Sequence, residues 1–235
     1  MPPDPIHSLP VPDWQPVAEV PALPEDQIHL WRIRLEPPPE ESPNLCLNSE
    51  ERERGRRQQN SNTRRRFELT HTAKRVLLGA YLGKSATGLK FEIPAGGKPR
   101  LADGAGLEFN LSHSGELALL AVGKGRSLGV DLERMKPVEN ALRIARRVFP
   151  GHLIERLETI APEHRDHAFL LAWTEFEARQ KLTGAGIFGS EASWNPSDTF
   201  GFSPTDGYIA TLAWARSDSA TQICHYDFNG LRRER

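Results

Sequence analysis

Four stretches of this 235-residue chain carry residue types and spacings that could do chemistry. The first is Gly129–Glu133 (GVDLE). In a strand, residues two apart project from the same face, so Asp131 and Glu133 would point together while Val130 and Leu132 face a core. Two carboxylates on one face outline a hard-cation site, since Mg²⁺ commonly takes one or two carboxylates plus substrate phosphates. The plainer alternative is a solvated strand face with two ordinary acids. The second is Trp173–Gly186 (WTEFEARQKLTGAG). Trp173, Glu177 and Lys181 stand at i, i+4 and i+8, along one side of a helix. Glu177 could serve a metal or act as a base, with Lys181 aimed at a phosphate; otherwise the two make a surface ion pair worth about 0.3–0.5 kcal/mol. The third is Asn110–Gly115 (NLSHSG), which reads as a polar turn between strands. Its Ser112, His113, Ser114 and the flexible backbone at Gly115 could wrap a phosphate, or the histidine is incidental. No GxSxG is present to support a serine nucleophile. The fourth is a run of bases: Arg52, Arg54, Arg56, Arg57, Arg64, Arg65, Arg66, Lys74 and Arg75. It suits an anionic ligand or an acidic partner by charge steering, although a solvated helix face accounts for most of it.

These residues need elements to hold them. Gln27–Leu35 alternates Trp31, Ile33 and Leu35 against Arg32 and Arg34, which predicts a strand. Ser49 followed by Glu50 and Glu51 is a helix start with acids at the positive end of the dipole. Phe67, Ala73, Val76, Leu77, Ala80 and Tyr81 recur at helical spacing up to Gly83. Lys90–Ile93, Leu107–Leu111, Leu117–Val122 and Ser127–Glu133 read as strands. Asn140–Phe149, Gly151–Ile160 and His164–Thr183 read as helices, with strands again at Gly207–Trp214 and Ile223–Phe228. Within the long helix, Phe169, Trp173 and Phe176 fall within about 60° of one another and form an apolar stripe, leaving Glu177 and Lys181 on its flank. The pattern is α+β, and it divides into a Pro-rich lead-in (1–25), an N-terminal half (26–128) and a C-terminal half (129–235). Twelve of the nineteen prolines precede residue 44, so the lead-in is expected to be extended and loosely packed.

Composition excludes several classes. Charged residues make up 26% and hydrophobic residues 38%, a globular balance. The formal net charge of −1 excludes a basic nucleic-acid binder of the whole-chain kind, and no aromatic residues interleave the arginines as stacking platforms. No run of about 18 apolar residues exists to span a membrane, and the first residues lack the basic and apolar regions of a signal peptide. Cys46 and Cys224 form neither a CxxC nor a zinc pattern, which suits a reducing cytoplasm.

Taken in order and spacing, RVLLG (75–79), GGKPRL (96–101), FNLSHSG (109–115), GVDLE (129–133) and WTEFEARQKLTGAG (173–186) resemble the 4′-phosphopantetheinyl transferases of the long, surfactin-synthetase-activating (Sfp) type. The resemblance covers roughly residues 27–230. It implies two pseudo-symmetric α/β halves with coenzyme A in the cleft between them. It implies Mg²⁺-dependent transfer of phosphopantetheine from coenzyme A to a serine of an apo acyl or peptidyl carrier protein, releasing 3′,5′-ADP, by a cytoplasmic monomer. Mn²⁺ could substitute at a hard oxygen site. Carried over residue by residue, Asp131, Glu133 and Glu177 fall on the metal acids. Lys181 falls on the lysine at the pyrophosphate. Ser112 and His113 fall on coenzyme phosphate contacts, and Arg75 on a base at the 3′-phosphate. Gly97, Lys98 and Pro99 fall beside the adenine. Glu177 is the candidate base for the serine hydroxyl.

The sequence departs from the pattern twice. The family often has lysine just before the helix glutamate, where this chain has Phe176. The bases near the first helix do not align uniquely: Arg52 and Arg56 are candidates for the 3′-phosphate, with Arg54 and Arg57 also open. Two other classes compete: another Mg²⁺-dependent phosphoryl-transfer enzyme using the same acids, and a non-catalytic scaffold that binds carrier proteins.

Overall fold

The computed structural model describes residues 9–35, 46–94, 97–184, 197–216 and 220–229. Their strands form two principal sheets. The larger has the order β1 (Gln15–Pro16), β10 (Gln222–Phe228), β2 (Gln27–Arg34), β6 (Leu117–Lys124) and β5 (Leu107–Ser114). The smaller is β7 (Leu128–Arg134), β9 (Tyr208–Ala215) and β8 (Ser197–Phe202). A two-stranded ribbon pairs β3 (Phe91–Glu92) with β4 (Arg100–Leu101).

Each sheet carries helices on its outer face. Helix α2 (Ser61–Leu82) lays Leu69, Ala73, Leu77 and Leu78 on Trp31, Ile33, Phe109 and Leu120 of the larger sheet. Helix α5 (Pro162–Thr183), with α3 (Ala141–Val148) and α4 (Gly151–Thr159), covers the smaller sheet around Ile209. Between the sheets, Ile28, Leu30, Leu117 and Leu119 meet Val130, Leu132, Phe202 and Leu212. The layers therefore run helix, sheet, sheet, helix. This explains why β2 is apolar on both faces: Ile28 and Leu30, which share the arginine face in sequence, pack against the second sheet. Arg32 survives among them because it forms two hydrogen bonds of 2.6 Å with Asp227 and a third with the Pro204 carbonyl. A charge that far from water needs such partners.

The lead-in corrects the expectation of loose packing, for the residues described. β1 pairs in parallel with β10. Trp14 is buried against the second sheet, and Leu23 against the α2 layer. The Pro10 carbonyl accepts from the Ser203 amide. Prolines forbade a helix, but an extended strap still buries apolar side chains at one residue in several. Sheet membership also departs from chain order: after the smaller sheet the chain returns, and β10 inserts between β1 and β2.

Three local features position the functional residues. The basic stretch forms two helices, α1 (Ser49–Arg56) and α2, each opened by an asparagine in a capping box: Asn48 with Glu51, and Asn60 with Thr63. Helix α2 stops at Gly83, which takes the left-handed conformation (φ 60°) that favours glycine. Ser112, His113 and Ser114 lie within β5 rather than in a turn, which corrects the loop reading of NLSHSG.

Candidate active site

The site begins with one close approach. A Cβ built on Gly129 would lie 2.1 Å from the Ala178 carbonyl and 2.6 Å from the Leu182 amide, so β7 and α5 touch backbone to backbone there. Only glycine permits that contact. It brings the α5 side chain of Lys181 onto the strand. The Lys181 ammonium donates to Asp131 Oδ1 at 2.6 Å, to Ser112 Oγ at 3.1 Å and to the Val130 carbonyl at 3.2 Å.

β5 then fastens to β7 by its alternate side chains. Asn110 Oδ1 accepts from the Val130 amide at 2.9 Å. Ser112 Oγ donates to Asp131 Oδ1 at 3.0 Å. Ser114 Oγ bonds Glu133 Oε2 at 3.1 Å and accepts from the Arg134 amide at 3.0 Å. Residues 110, 112 and 114 share one face of a strand, so a single strand holds the register of both acids. The sequence reading took Ser114 only as a turn hydroxyl and gave Asn110 no role; the missed signal was the period-2 recurrence of small polar residues.

The three acids feel one another. Burial, reinforced by the Asp131 charge, pushes the Glu133 and Glu177 carboxyls above their usual range. Asp131 Oδ2 is buried without a hydrogen-bond partner, a costly state for a carboxylate oxygen. Among the described residues, no three His, Cys, Asp or Glu groups converge closely enough to enclose a metal ion by themselves. The donor set nevertheless fits a hard cation. It offers an orphaned carboxylate oxygen and two neighbours whose negative charges repel, and phosphate oxygens of a substrate complete such shells.

On the α2 side of β5 lies a cavity of about 510 Å³, lined by Arg54, Gln58, Thr63, Arg66, Phe67, His71, His113, Ser114 and Gly115. Among the described residues, no carboxylate lines it. Burial, with the charges of Lys181 and Arg66, lowers the basicity of His113. Arg54 lies over the Phe67 ring. Arg66 pairs with Glu116 at the turn after β5.

Other expected ligand contacts lie elsewhere. Arg75 is fully buried inside the protein. Its Nε donates to Glu51 Oε2 at 2.5 Å and its Nη1 to the Ala86 and Leu89 carbonyls. Its Nε and Nη1 thus hold α1 and the segment after α2, while its Nη2 is buried without a hydrogen-bond partner. Arg52 donates to the Leu47 carbonyl, and Arg56 pairs with Glu53 in solvent. It is Arg54, about half a helical turn from each, that lines the cavity. Thr63, Phe67 and His71, at i, i+4 and i+8, were the missed signal of one helix face with Arg66 beside it. Gly97 has φ 76°. Lys98 donates to the Leu128 carbonyl at 2.9 Å, tying its segment to the start of β7, and Pro99 is exposed. Phe176 is buried against Phe149 and Trp173, as the apolar stripe predicts. Gly96, Ala185 and Gly186 of the matched motifs lie outside the described residues.

Comparison with known proteins converges on one family. The family model of the 4′-phosphopantetheinyl transferase superfamily matches residues 127–233. The chain is 38% identical to the 4′-phosphopantetheinyl transferase HetI of Nostoc sp. (strain PCC 7120), over 74% of this chain and 76% of that protein. It is 34% identical to the 4′-phosphopantetheinyl transferase psf-1 of Bacillus pumilus, over 52% and 55%. It is 30% identical to Sfp of Bacillus subtilis (strain 168), over 52% and 58%. The likeness to HetI spans both sheets, and the family model covers the strand and helix that carry the three acids and the lysine, so this chain belongs to the 4′-phosphopantetheinyl transferase superfamily.

Proposed function

We propose that the protein transfers the phosphopantetheine of coenzyme A to a serine hydroxyl of an apo carrier protein, with Mg²⁺ held by Asp131, Glu133 and Glu177. The observation that carries the reading is the junction of β5, β7 and α5. There one lysine ammonium, one orphaned carboxylate oxygen and two acids of raised basicity stand beside a cavity lined by Arg54, Arg66 and His113. Coenzyme A has a matching layout, with a diphosphate at the reacting end and a phosphate on the ribose. The two helix-on-sheet units would be the family's two halves, with the coenzyme lodged between them.

Bound at the acids, the cation would neutralise charge on the diphosphate oxygens. This chain's own residues do the rest. Lys181 sits where it can leave Asp131 for the diphosphate and stabilise the charge that builds on the departing ADP. Ser112 keeps Asp131 in place. The cavity holds the ribose phosphate, remote from the reacting phosphorus, so its contacts act on binding. The carrier's serine oxygen attacks the β-phosphorus. The bond to the bridging oxygen breaks, 3′,5′-ADP leaves, and Glu177 accepts the serine proton; its raised basicity suits that task.

Among the described residues no helix is long and apolar enough to cross a membrane. The reaction would take place on soluble carrier domains in the cytoplasm, and by the enzyme as a monomer. The test is mass spectrometry of an apo carrier protein incubated with the enzyme, coenzyme A and Mg²⁺. The expected result is one added phosphopantetheine on the carrier's modified serine. Nucleotide turnover with no carrier modified would sink the reading.

A further inference from the structure

His71 lines the cavity, yet its ring is bound from behind by a buried group of charges. Glu51, on α1, is 5% exposed, Lys74 is 5% exposed and Arg75 is wholly enclosed. Both Glu51 oxygens are engaged. Oε1 takes the Lys74 ammonium at 2.9 Å, and Oε2 takes Arg75 and the Asn48 amide. His71 Nδ1 stands within reach of two opposite partners of this group: the Lys74 ammonium at 3.1 Å and Glu51 Oε1 at 3.3 Å.

That placement gives the imidazole two satisfied states. Lysine ammonium only donates, so beside Lys74 the nitrogen Nδ1 accepts and the neutral ring carries its proton on Nε2. Once protonated, Nδ1 donates to Glu51 instead, and Lys74 keeps its bond to Glu51. Neither state leaves Nδ1 unpaired, and in both Nε2 remains a donor.

We propose that His71 is a phosphate contact of the cavity and that its imidazole takes up a proton as the phosphate enters. This deepens the transferase reading and rests on it, because the phosphate in question is that of coenzyme A. Before the ligand arrives, three groups hold the ring neutral or oppose that. Burial and the cations Lys74 and Arg54 lower its basicity, and Glu51 works against them. A phosphate dianion in the cavity adds a second negative charge on the open side, and the balance tips to imidazolium. The cavity's other histidine, His113, faces Lys181 and Arg66 with no carboxylate bonded to it in the described structure. It has no built-in acceptor to receive a new Nδ1 proton. His71 has one.

The experiment is calorimetric titration of coenzyme A into the full-length enzyme in buffers of different ionisation enthalpy. It is run above about pH 7, where a phosphate monoester is already dianionic. Wild type should take up protons on binding, and Kd should rise with pH, by up to about tenfold per unit for each proton linked. His71→Gln keeps a donor but cannot titrate, and should lose uptake and pH dependence together. His71→Arg should bind tightly with no pH dependence. Dephospho-coenzyme A should show little uptake with any form. Coenzyme A binding without proton uptake overturns the proposal and leaves the transferase reading standing. Uptake that persists in His71→Gln, or that vanishes only in His113→Gln, overturns the assignment to His71. Failure of wild type to bind coenzyme A at all would sink the transferase reading itself.

Discussion

Two clusters of buried charge among the described residues each set a carboxylate beside a lysine and are finished differently. On α1 and α2, the Glu51 carboxylate has both oxygens bonded, by Lys74, Arg75 and the Asn48 amide, with His71 Nδ1 within reach. Burial alone would raise its basicity, but those hydrogen bonds and the Lys74 charge outweigh it and hold the carboxyl well below the usual range. At the junction of β5, β7 and α5, Asp131 has one oxygen crowded by Lys181 and Ser112 and the other left bare. Its two neighbouring acids are pushed the opposite way from Glu51. A closed cluster stabilises a helix pair. An open one is held ready for a ligand, at some cost to the fold.

Mutation should separate the two most sharply at the carboxylates themselves. Asp131→Asn should lower carrier modification by about a hundredfold or more, the scale of losing a preorganised charge at a reacting phosphate. Its fold should survive, because Lys181 is part-exposed and can turn to water. Near-normal turnover with Asp131→Asn would break the contrast from one side. Glu51→Ala should do the reverse. It strands two buried cations and should lower unfolding stability by about 3–5 kcal/mol in urea melts. Its contribution is present above the unfolded-state value near 4.5 and is lost only as pH falls toward the depressed folded one. A Glu51→Ala protein as stable as wild type would break the contrast from the other side.

The open cluster also depends on a distance. Gly129→Ala would put a methyl where the Ala178 carbonyl already is, and α5 must move off β7. The expected loss is about 1–3 kcal/mol of stability, with turnover falling further than stability does because Lys181 travels with the helix. Parallel urea melts and carrier-modification assays decide it; a drop in stability alone would show that the lysine's position is not set there.

The smallest effect has the most telling sign. The Glu177 carboxyl is raised when folded, so ionising it disfavours the fold. That penalty is absent below the unfolded-state value near 4.5 and accrues as pH rises through the folded one. In chelator at pH 7, Glu177→Gln should therefore be more stable than wild type, by up to about 1 kcal/mol, while losing activity. Destabilisation instead would mean that the open cluster is structural after all.

Much of this was legible without coordinates. Alternation located β2 and β7, and the strand read at Gly207–Trp214 is β9. The i, i+4, i+7 spacing of Phe169, Trp173 and Phe176 located the α5 stripe, and the burial of Phe176 followed from it. The motif order led to the family and to Ser112, Asp131 and Lys181, which meet at the junction, with Glu133 and Glu177 within reach of the Asp131 charge. Arg75 was legible as a motif residue, but not that its Nε and Nη1 would meet a buried glutamate and two backbone carbonyls. The cavity's bases were in view as a run, but nothing in a run of arginines says which of them face inward together.

The chain's own order determined what local physics can decide: where helices start and stop, which strand face carries acids, and which glycine lets two backbones touch. Those follow from dihedral preference and periodicity over a few residues. Tertiary structure alone decided which charges are completed and which are left open. Glu51 and Asp131 are both acids near a lysine with two side-chain donors within about 3 Å; the difference is that elements far apart in sequence bring donors to both oxygens of Glu51 but only to Oδ1 of Asp131. The same holds for the proline-rich strap, whose burial depends on β10 returning from the far end of the chain to meet it.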